Sequence, residues 1–534
     1  MLAAAQTGTT NVTNKLYPNN LVVSRSVYDN NPANVKIGEI LPPNCAQTTG
    51  GCSASTGAPY NGTYPAVFNN DLYDGSFGIT SRIYLDQINL VGQKINSIEV
   101  PNSDEGIGAK ENQLVTSFSS KSELALNLST DGKFLTFMGY VAPVNALDVS
   151  NSNTPLVVDP TNPVGVNAYR AVAKLGADGK FSFSETNAYS GNNGRAAILN
   201  DSADIFYTAG NAGNGGNPQP NGIILGAGAQ LIQLDPEQEY AQDPGLPTPV
   251  ASFNITQLGD KADKIGKDDN FRGLTIFNNV LYYTKGSGSN GVNTVYFVDT
   301  TGKACPQGVG LPVPGAQLPA SPLSYNLADL QTDGLPSNMC ILAGFPSTPA
   351  KTANPVSFPF GLWFADKNTL YVADEGDDYT GGTDLYTHAA AQTTAGLQKW
   401  VFNATTNTWQ MAYVLKSGLG IGTPYTVAGY PTGTNAATKL PWAPATDGLR
   451  NITGVVGPNG LVAIWAITST VSGGGDQGAD PNRLFVVVDY APNTDPSLAS
   501  KFPFFEVQGA QFGEVLRGVS FTPGTDFTTF KNLF

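Results

Sequence analysis

Histidine is almost absent. His388 is the single one in 534 residues, which excludes a zinc or copper site built from several imidazoles. Charged residues are also scarce, at 13% of the chain, and their balance is acidic, with a formal net charge of −14. A polyanion would meet a repelling field, so nucleic acid is excluded as a partner. No apolar run approaches the ~18 residues that a membrane-crossing helix needs. The opening Met-Leu-Ala-Ala-Ala-Gln has neither a basic region nor an apolar core, and reads as a mature N-terminus whose signal has been removed.

What is present points to strands and turns. Glycine (60) and proline (37) are abundant, 41% of residues are hydrophobic and 10% are aromatic. This is too apolar for a disordered chain and suits many short strands joined by turns. The four cysteines fall as two local pairs, Cys45 with Cys52 and Cys305 with Cys340, in Pro/Gly-rich sequence and without C-x-x-C spacing. Of the three connectivities, the sequential one is expected, stapling two loops. That implies an oxidising compartment, so the chain is expected to be secreted, extracellular or periplasmic.

A hairpin recurs along the chain. Arg272–Phe277 with Val280–Thr284 is one copy, and Gly361–Ala365 with Thr369–Ala373 another. Arg195–Leu199 with Ile205–Ala209, Ser122–Leu128 with Lys133–Tyr140, and Arg450–Val456 with Leu461–Thr470 follow the same pattern. A second strand pair follows each, as in Leu397–Phe402 with Trp409–Leu415. Four meandering strands per repeat make a propeller blade. Near the C-terminus, Leu516–Phe521 copies a first strand and the chain then ends, whereas Leu21–Tyr28, Arg82–Ile88 and Lys94–Val100 lack one. The expectation is an all-β, six-bladed β-propeller of four-stranded blades, or seven-bladed if the long early loop holds more strands. The C-terminal strand would complete the N-terminal blade and remove an open edge. Residues 1–20 form an N-terminal segment and 21–534 a single domain. Its blades run approximately over 21–100 plus 516–521, 122–186, 195–255, 272–340, 361–415 and 450–507.

Turns from first to second and from third to fourth strand read as tight, while second-to-third connections read as long: 29–81, 141–167, 211–228, 285–293, 374–396 and 471–483. These would gather on one face of the disc, where function is expected. Aligning the repeats places Glu123, Arg195, Arg272, Phe360, Arg450 and Arg517 at equivalent starts of innermost strands, around a channel mouth. Guanidinium forks there suit a small anionic ligand. Alternatively they pair with acids such as Asp269, Asp447, Asp489 or Glu514 and lock the blades together. A second candidate is the acidic run Asp374, Glu375, Asp377 and Asp378, with Asp384 and His388 beyond it. Asp476 and Asp480 in the Gly-rich loop would face it. Such crowded carboxylates either hold calcium or form a solvated acidic loop. The spacing matches neither an EF-hand nor a P-loop.

The phrase Pro359-Phe-Gly-Leu-Trp-Phe-Ala-Asp-Lys-Asn-Thr-Leu-Tyr-Val-Ala-Asp374 resembles the repeat of NHL-type and gluconolactonase-like six-bladed propellers. The resemblance covers about a fifth of the chain and implies the fold more than an activity. In the lactonase-like branch it would imply calcium over the channel, held by Glu, Asn and Asp of inner strands. This chain departs from that pattern with arginines, and only Asn451 and Asp447 lie near such a position. Two functions follow as expectations. The first is a secreted or cell-surface binding or assembly protein, contacting a glycan, a protein or a like chain through its long-loop face. The second is a calcium-dependent hydrolase or lactonase of a small anionic ester at the channel mouth.

Overall fold

A computed structural model describes residues 14–41, 58–59, 78–103, 113–155, 166–211, 218–219, 223–224, 227–234, 249–255, 269–286, 291–305, 307–323, 337–377, 379, 381–435, 439–473 and 478–532. Six antiparallel blades form a ring. Blade one is built from Glu514–Phe521, Leu21–Val27, Thr80–Ile88 and Lys94–Glu99, in that spatial order. The expected closure is present: Leu21 pairs with Phe521 and Val27 with Glu514, across a bulge between Val23 and Arg25. The two chain ends thereby cover each other's edges.

Blade two runs Asn127–Leu128, Phe134–Tyr140, Arg170–Gly176 and Phe181–Thr186, and blade three Gly194–Asn200, Ile205–Gly210, Ala229–Gln233 and Pro249–Ile255. Blade four runs Phe271–Phe277, Val280–Lys285, Thr294–Val298 and Ser337–Leu342. Blade five runs Pro359–Asp366, Thr369–Asp374, Gly396–Asn403 and Thr408–Leu415, and blade six Ala445–Val456, Leu461–Val471, Arg483–Tyr490 and Phe505–Gly509. The hairpin of blade four turns at Asn278 and Asn279, with φ of 48° and 60°. Paired left-handed residues match the twist of the flanking strands, and asparagine tolerates that region.

The residue after each ring position shows how closely the inner strands pack. A Cβ on Gly273 would lie 2.5 Å from the Phe360 carbonyl oxygen, and one on Gly361 would lie 2.6 Å from that of Arg450. Glycine is therefore required where one inner strand slides against the next. Elsewhere polar groups bridge the same step. Asn451 Nδ2 donates to the Arg517 carbonyl (2.7 Å), Ser24 Oγ to that of Leu124 (2.8 Å) and the Ala125 amide to that of Arg195 (3.2 Å).

Two expectations need correction. Ser122–Leu126 is not strand, and only Asn127–Leu128 pairs in the first position of blade two. There the Glu123 carboxylate turns inward to bond Thr116, Ser117 and Tyr140, and Leu124 adopts φ 62°. Third-to-fourth connections are not uniformly tight, since 234–248 in blade three and 299–336 in blade four are long. Both faces of the disc are therefore elaborated. Blades three and four are also joined at their outer edges, where Asn254 and Ile255 pair in parallel with Ser337 and Met339.

Of the two expected disulfides, one lies within the described residues. Cys305 and Cys340 are bonded at the base of the blade-four loop, with Cα atoms 5.9 Å apart. Cys45 and Cys52, expected to form the other, both lie outside the described residues. A bond between Cys45 and Cys52 therefore stays an expectation from the sequence.

Candidate ligand site

Each inner strand enters the ring at one end of the central channel and leaves at the other. Buried charge gathers at the entry end. Arg195, Arg272, Arg450 and Arg517 are all buried there, as are Glu123 and Glu375. Glu375, directly after the second strand of blade five, is the hub. Its carboxylate lies 3.2 Å from Arg450 Nε, 3.8 Å from Arg272 Nε and 3.9 Å from Lys121 Nζ. Its backbone is fixed by the Phe358 carbonyl (3.1 Å), which accepts from its amide, and by Ser469 Oγ, which donates to its carbonyl (2.5 Å).

Three of the arginines also bind neighbouring backbone and hydroxyl groups. Arg272 Nη1 donates to Ser122 Oγ (2.8 Å), Arg195 Nη1 to the Phe271 carbonyl (2.7 Å), and Arg517 to Ser26 Oγ (3.2 Å) and the carbonyls of Phe118 and Ser120. Burial, reinforced by the like charge of Arg272, pulls Arg195 well below the ordinary guanidinium range. Phe360 lies beneath the Arg272 guanidinium, 5.9 Å from ring centroid to carbon. The five charged residues at equivalent strand starts are thus all buried at this end, where Arg272 and Arg450 converge on Glu375, an acid expected to hold calcium, in a cross-blade plug.

Of the acids named as partners of the ring, Asp489 and Glu514 face other cations, whereas Asp447 lies against Gly376 beside the hub and Asp269 lies next to the Asn270 that Arg195 bonds. Asp489 is held by Lys399 Nζ (2.9 Å), Tyr371 (2.6 Å) and Tyr413 (3.0 Å) between blades five and six. Glu514 pairs with Arg25 at 2.5 Å, and Asp447 accepts from Gln392 at 2.6 Å. Asp269 is fully buried, one residue before Asn270, whose side-chain carbonyl accepts from Arg195.

The described members of the proposed calcium set each have hydrogen-bond partners of their own. Asp374 accepts from Ser357 Oγ (2.7 Å), Gln398 Nε2 (2.9 Å) and the amides of Phe358 and Gly376 (both 3.1 Å). Burial pushes its carboxyl up to about 6 despite those donors. Asp377 bonds His388 Nε2 at 2.7 Å, and Tyr379 stacks on the imidazole with centroids 4.1 Å apart. Asp384 accepts from Tyr379 at 2.7 Å. Asp480 accepts from Tyr430 and is likewise raised by burial to about 6. Asp378 and Asp476, like Cys45 and Cys52, lie outside the described residues. Among the described residues, the one set of three ligand-type side chains close enough to share an ion is Asp299, Cys305 and Cys340, and those cysteines are bonded to each other.

The exit end of the channel is open. A cavity of about 940 Å³ is lined by all six blades: Ser520 and Phe521, Asn127 and Thr130, Ile198 and Asn200, Thr275 and Ile276, Leu362 and Trp363, Ile452 and Thr453. None of the described lining residues carries a charge. Amides, hydroxyls and aliphatic groups alternate around it, with one indole. Trp363 lies flat on the backbone of Gly454, where a Cβ would come within 2.7 Å of its ring, and beside Tyr371 (centroids 6.0 Å, 29°). Nothing in the sequence marks this funnel as a site. Its residues are ordinary strand positions, and their one shared signal is that each lies a few residues downstream of a ring position.

No family model matches the chain, and no curated protein matches it. Among solved structures the chain is similar to an ulvan lyase described as a new family of polysaccharide lyase, bound to -[GlcA(1-4)Rha3S]-. The identity is 11%, over 88% of this chain and 95% of that one, with a TM-score of 0.30. It is also similar to a chain in an S. cerevisiae assembly of Dbp5 with Nup159, Gle1, IP6 and ADP, at 6% identity over 69% and 74%, with a TM-score of 0.25. Superpositions this loose carry no argument, and the six-bladed propeller stands on its own strand pairing.

Proposed function

We propose that this propeller is a non-enzymatic, extracellular binding protein that takes an uncharged oligosaccharide in the open funnel. One observation carries the reading: the funnel is lined by all six blades, and its described residues bear no charge in an otherwise acidic chain. Asn127, Asn200, Thr275 and Thr453 supply donors and acceptors for hydroxyl groups, and Trp363 supplies an apolar face. This is the mixture that positions a neutral polar ligand without desolvating an ion. The ring arginines at the opposite mouth are buried and bonded within the protein, which favours this mouth over the arginine ring as the place for a ligand. The disulfide supports an oxidising compartment.

Kinship with NHL-type and gluconolactonase-like propellers is supported by the Pro359–Asp374 hairpin. The hydrolase alternative needs carboxylates converging on the channel, and the described carboxylates are held separately by hydrogen bonds. The test is calorimetric titration of a panel of neutral and acidic oligosaccharides. Neutral members should bind, and Trp363→Ala should weaken them roughly tenfold, about 1.4 kcal/mol. Binding restricted to acidic glycans, or unaffected by the substitution, would overturn the assignment.

A further inference from the structure

We infer that the ligand is a linear oligosaccharide chain that leaves the funnel over the Asn278–Asn279 turn and continues into a second cavity. This rests on the neutral-glycan reading above. The second cavity, about 450 Å³, lies between the outer side of the blade four and five hairpins and the loop segment 311–317. Asn278 and Asn279 line both cavities, so the two are divided by one exposed turn and not by a wall of the core.

The floor of the second cavity is aromatic. Half-buried Phe277 stacks on Phe364 (4.4 Å between centroids, 9° between planes), and Phe402 packs against Trp409 (5.6 Å). Rings braced in this way offer flat apolar faces at little entropic cost, suited to the C–H faces of sugar rings. The shared turn offers two planar amides on a backbone fixed at positive φ, suited to the hydroxyls between successive units. Lys367 is the one charged residue among the described lining.

The roof is built in and anchored at both ends. Val309–Gly310 pairs in parallel with Ile341–Leu342, beside the Cys305–Cys340 bond. Beyond the prolines at 312 and 314, Leu318 already lines the funnel, and Tyr207 Oη donates to the Pro319 carbonyl at 2.9 Å. The segment therefore runs from the edge of blade four to the funnel rim at blade three and borders both cavities. Each cavity falls in the ~300–1,000 Å³ range of a complete small-ligand site. Together they have room for a chain of several sugar units.

The experiment titrates cello-, manno- and xylo-oligosaccharides from monomer to hexamer into the full protein. Affinity should climb roughly tenfold or more once the chain is long enough to cross the turn. Phe402→Ala should remove that gain while leaving the short-oligomer affinity unchanged. Gln317→Trp, at an exposed roof position, should do the same by filling the groove, and tests the idea if the first variant folds poorly. Short oligomers that bind with no gain on lengthening, or a gain that survives both variants, would overturn the extension into the second cavity and leave the funnel reading standing. Failure of every neutral sugar to bind wild-type protein would overturn both.

Discussion

Replacing Glu375 with Gln preserves the shape of the side chain and removes one negative charge from the centre of the plug. Arg272 and Arg450 are only 4% and 2% exposed, so water cannot replace the lost partner. Removing one member of a buried ion pair typically costs ~3–5 kcal/mol, because the other charge stays buried and uncompensated. Unfolding entropy of ~2.1 cal/mol/K per residue gives about 1.1 kcal/mol/K for 534 residues, so the melting temperature should drop by ~3–5 °C. Calorimetry on Glu375→Gln, Arg450→Met and the double variant closes a cycle, whose coupling should be ~0.5–3 kcal/mol in favour of the pair. The affinity of the funnel for a neutral sugar should not change. A variant within ~0.5 kcal/mol of wild type, the range of an ordinary surface substitution, would refute the view that this acid neutralises the ring.

Four further outcomes follow. Cys305→Ser with Cys340→Ala opens a loop of sequence separation 35 and should lower stability by ~2–4 kcal/mol in chemical denaturation. Asp374 and Asp480 are raised by burial to about 6 from 3.8, so the folded state favours their acid forms. Their stabilising contribution is complete below pH ~3.8 and is lost as pH rises through about 6, amounting to ~3 kcal/mol per group. The stability of Asp480→Asn relative to wild type should therefore rise over that window and level off above it, as read by melts across pH. Lys399→Met strands Asp489 between two tyrosines and should cost ~3–5 kcal/mol in the same assay, with no effect on ligand affinity. Arg170→Lys should destabilise by at least ~2 kcal/mol, because an ammonium cannot reach the separate carbonyls that the guanidinium serves.

The blades were legible because their signal is local and repeated. Short runs rich in apolar, β-branched and aromatic residues between turn formers mark Leu397–Phe402 and Leu461–Thr470 without reference to anything distant. The ring was legible for the same reason, since Arg272 and Arg517 each precede a glycine in equivalent strands. Its bonding was not legible. Whether Asp489 meets Arg450 or Lys399 depends on which strand of the next blade packs against it, and no repeat encodes that. Arg170 shows the limit most clearly. It is fully buried in the third strand of blade two and donates to the carbonyls of Ser152 (2.7 Å), Ala168 (2.7 Å) and Asn192 (2.9 Å). Burial brings its guanidinium down to about 10. Backbone acceptors have no side-chain identity to read, so the strand pattern around Arg170 looks ordinary. The funnel was hidden by its composition, because attention to charged clusters passes over a site made of Asn, Thr, Ile and one Trp.

The most direct test of the central claim is a titration of Thr275→Arg with the neutral oligosaccharide that binds wild-type protein best. Thr275 is a half-buried funnel residue in the inner strand of blade four, three positions beyond Arg272 in the plug. A folded variant with an unchanged melting temperature and at least tenfold weaker binding is expected, because a guanidinium now occupies the uncharged funnel. Unchanged affinity in a folded Thr275→Arg protein would place the ligand somewhere other than the funnel and contradict the account.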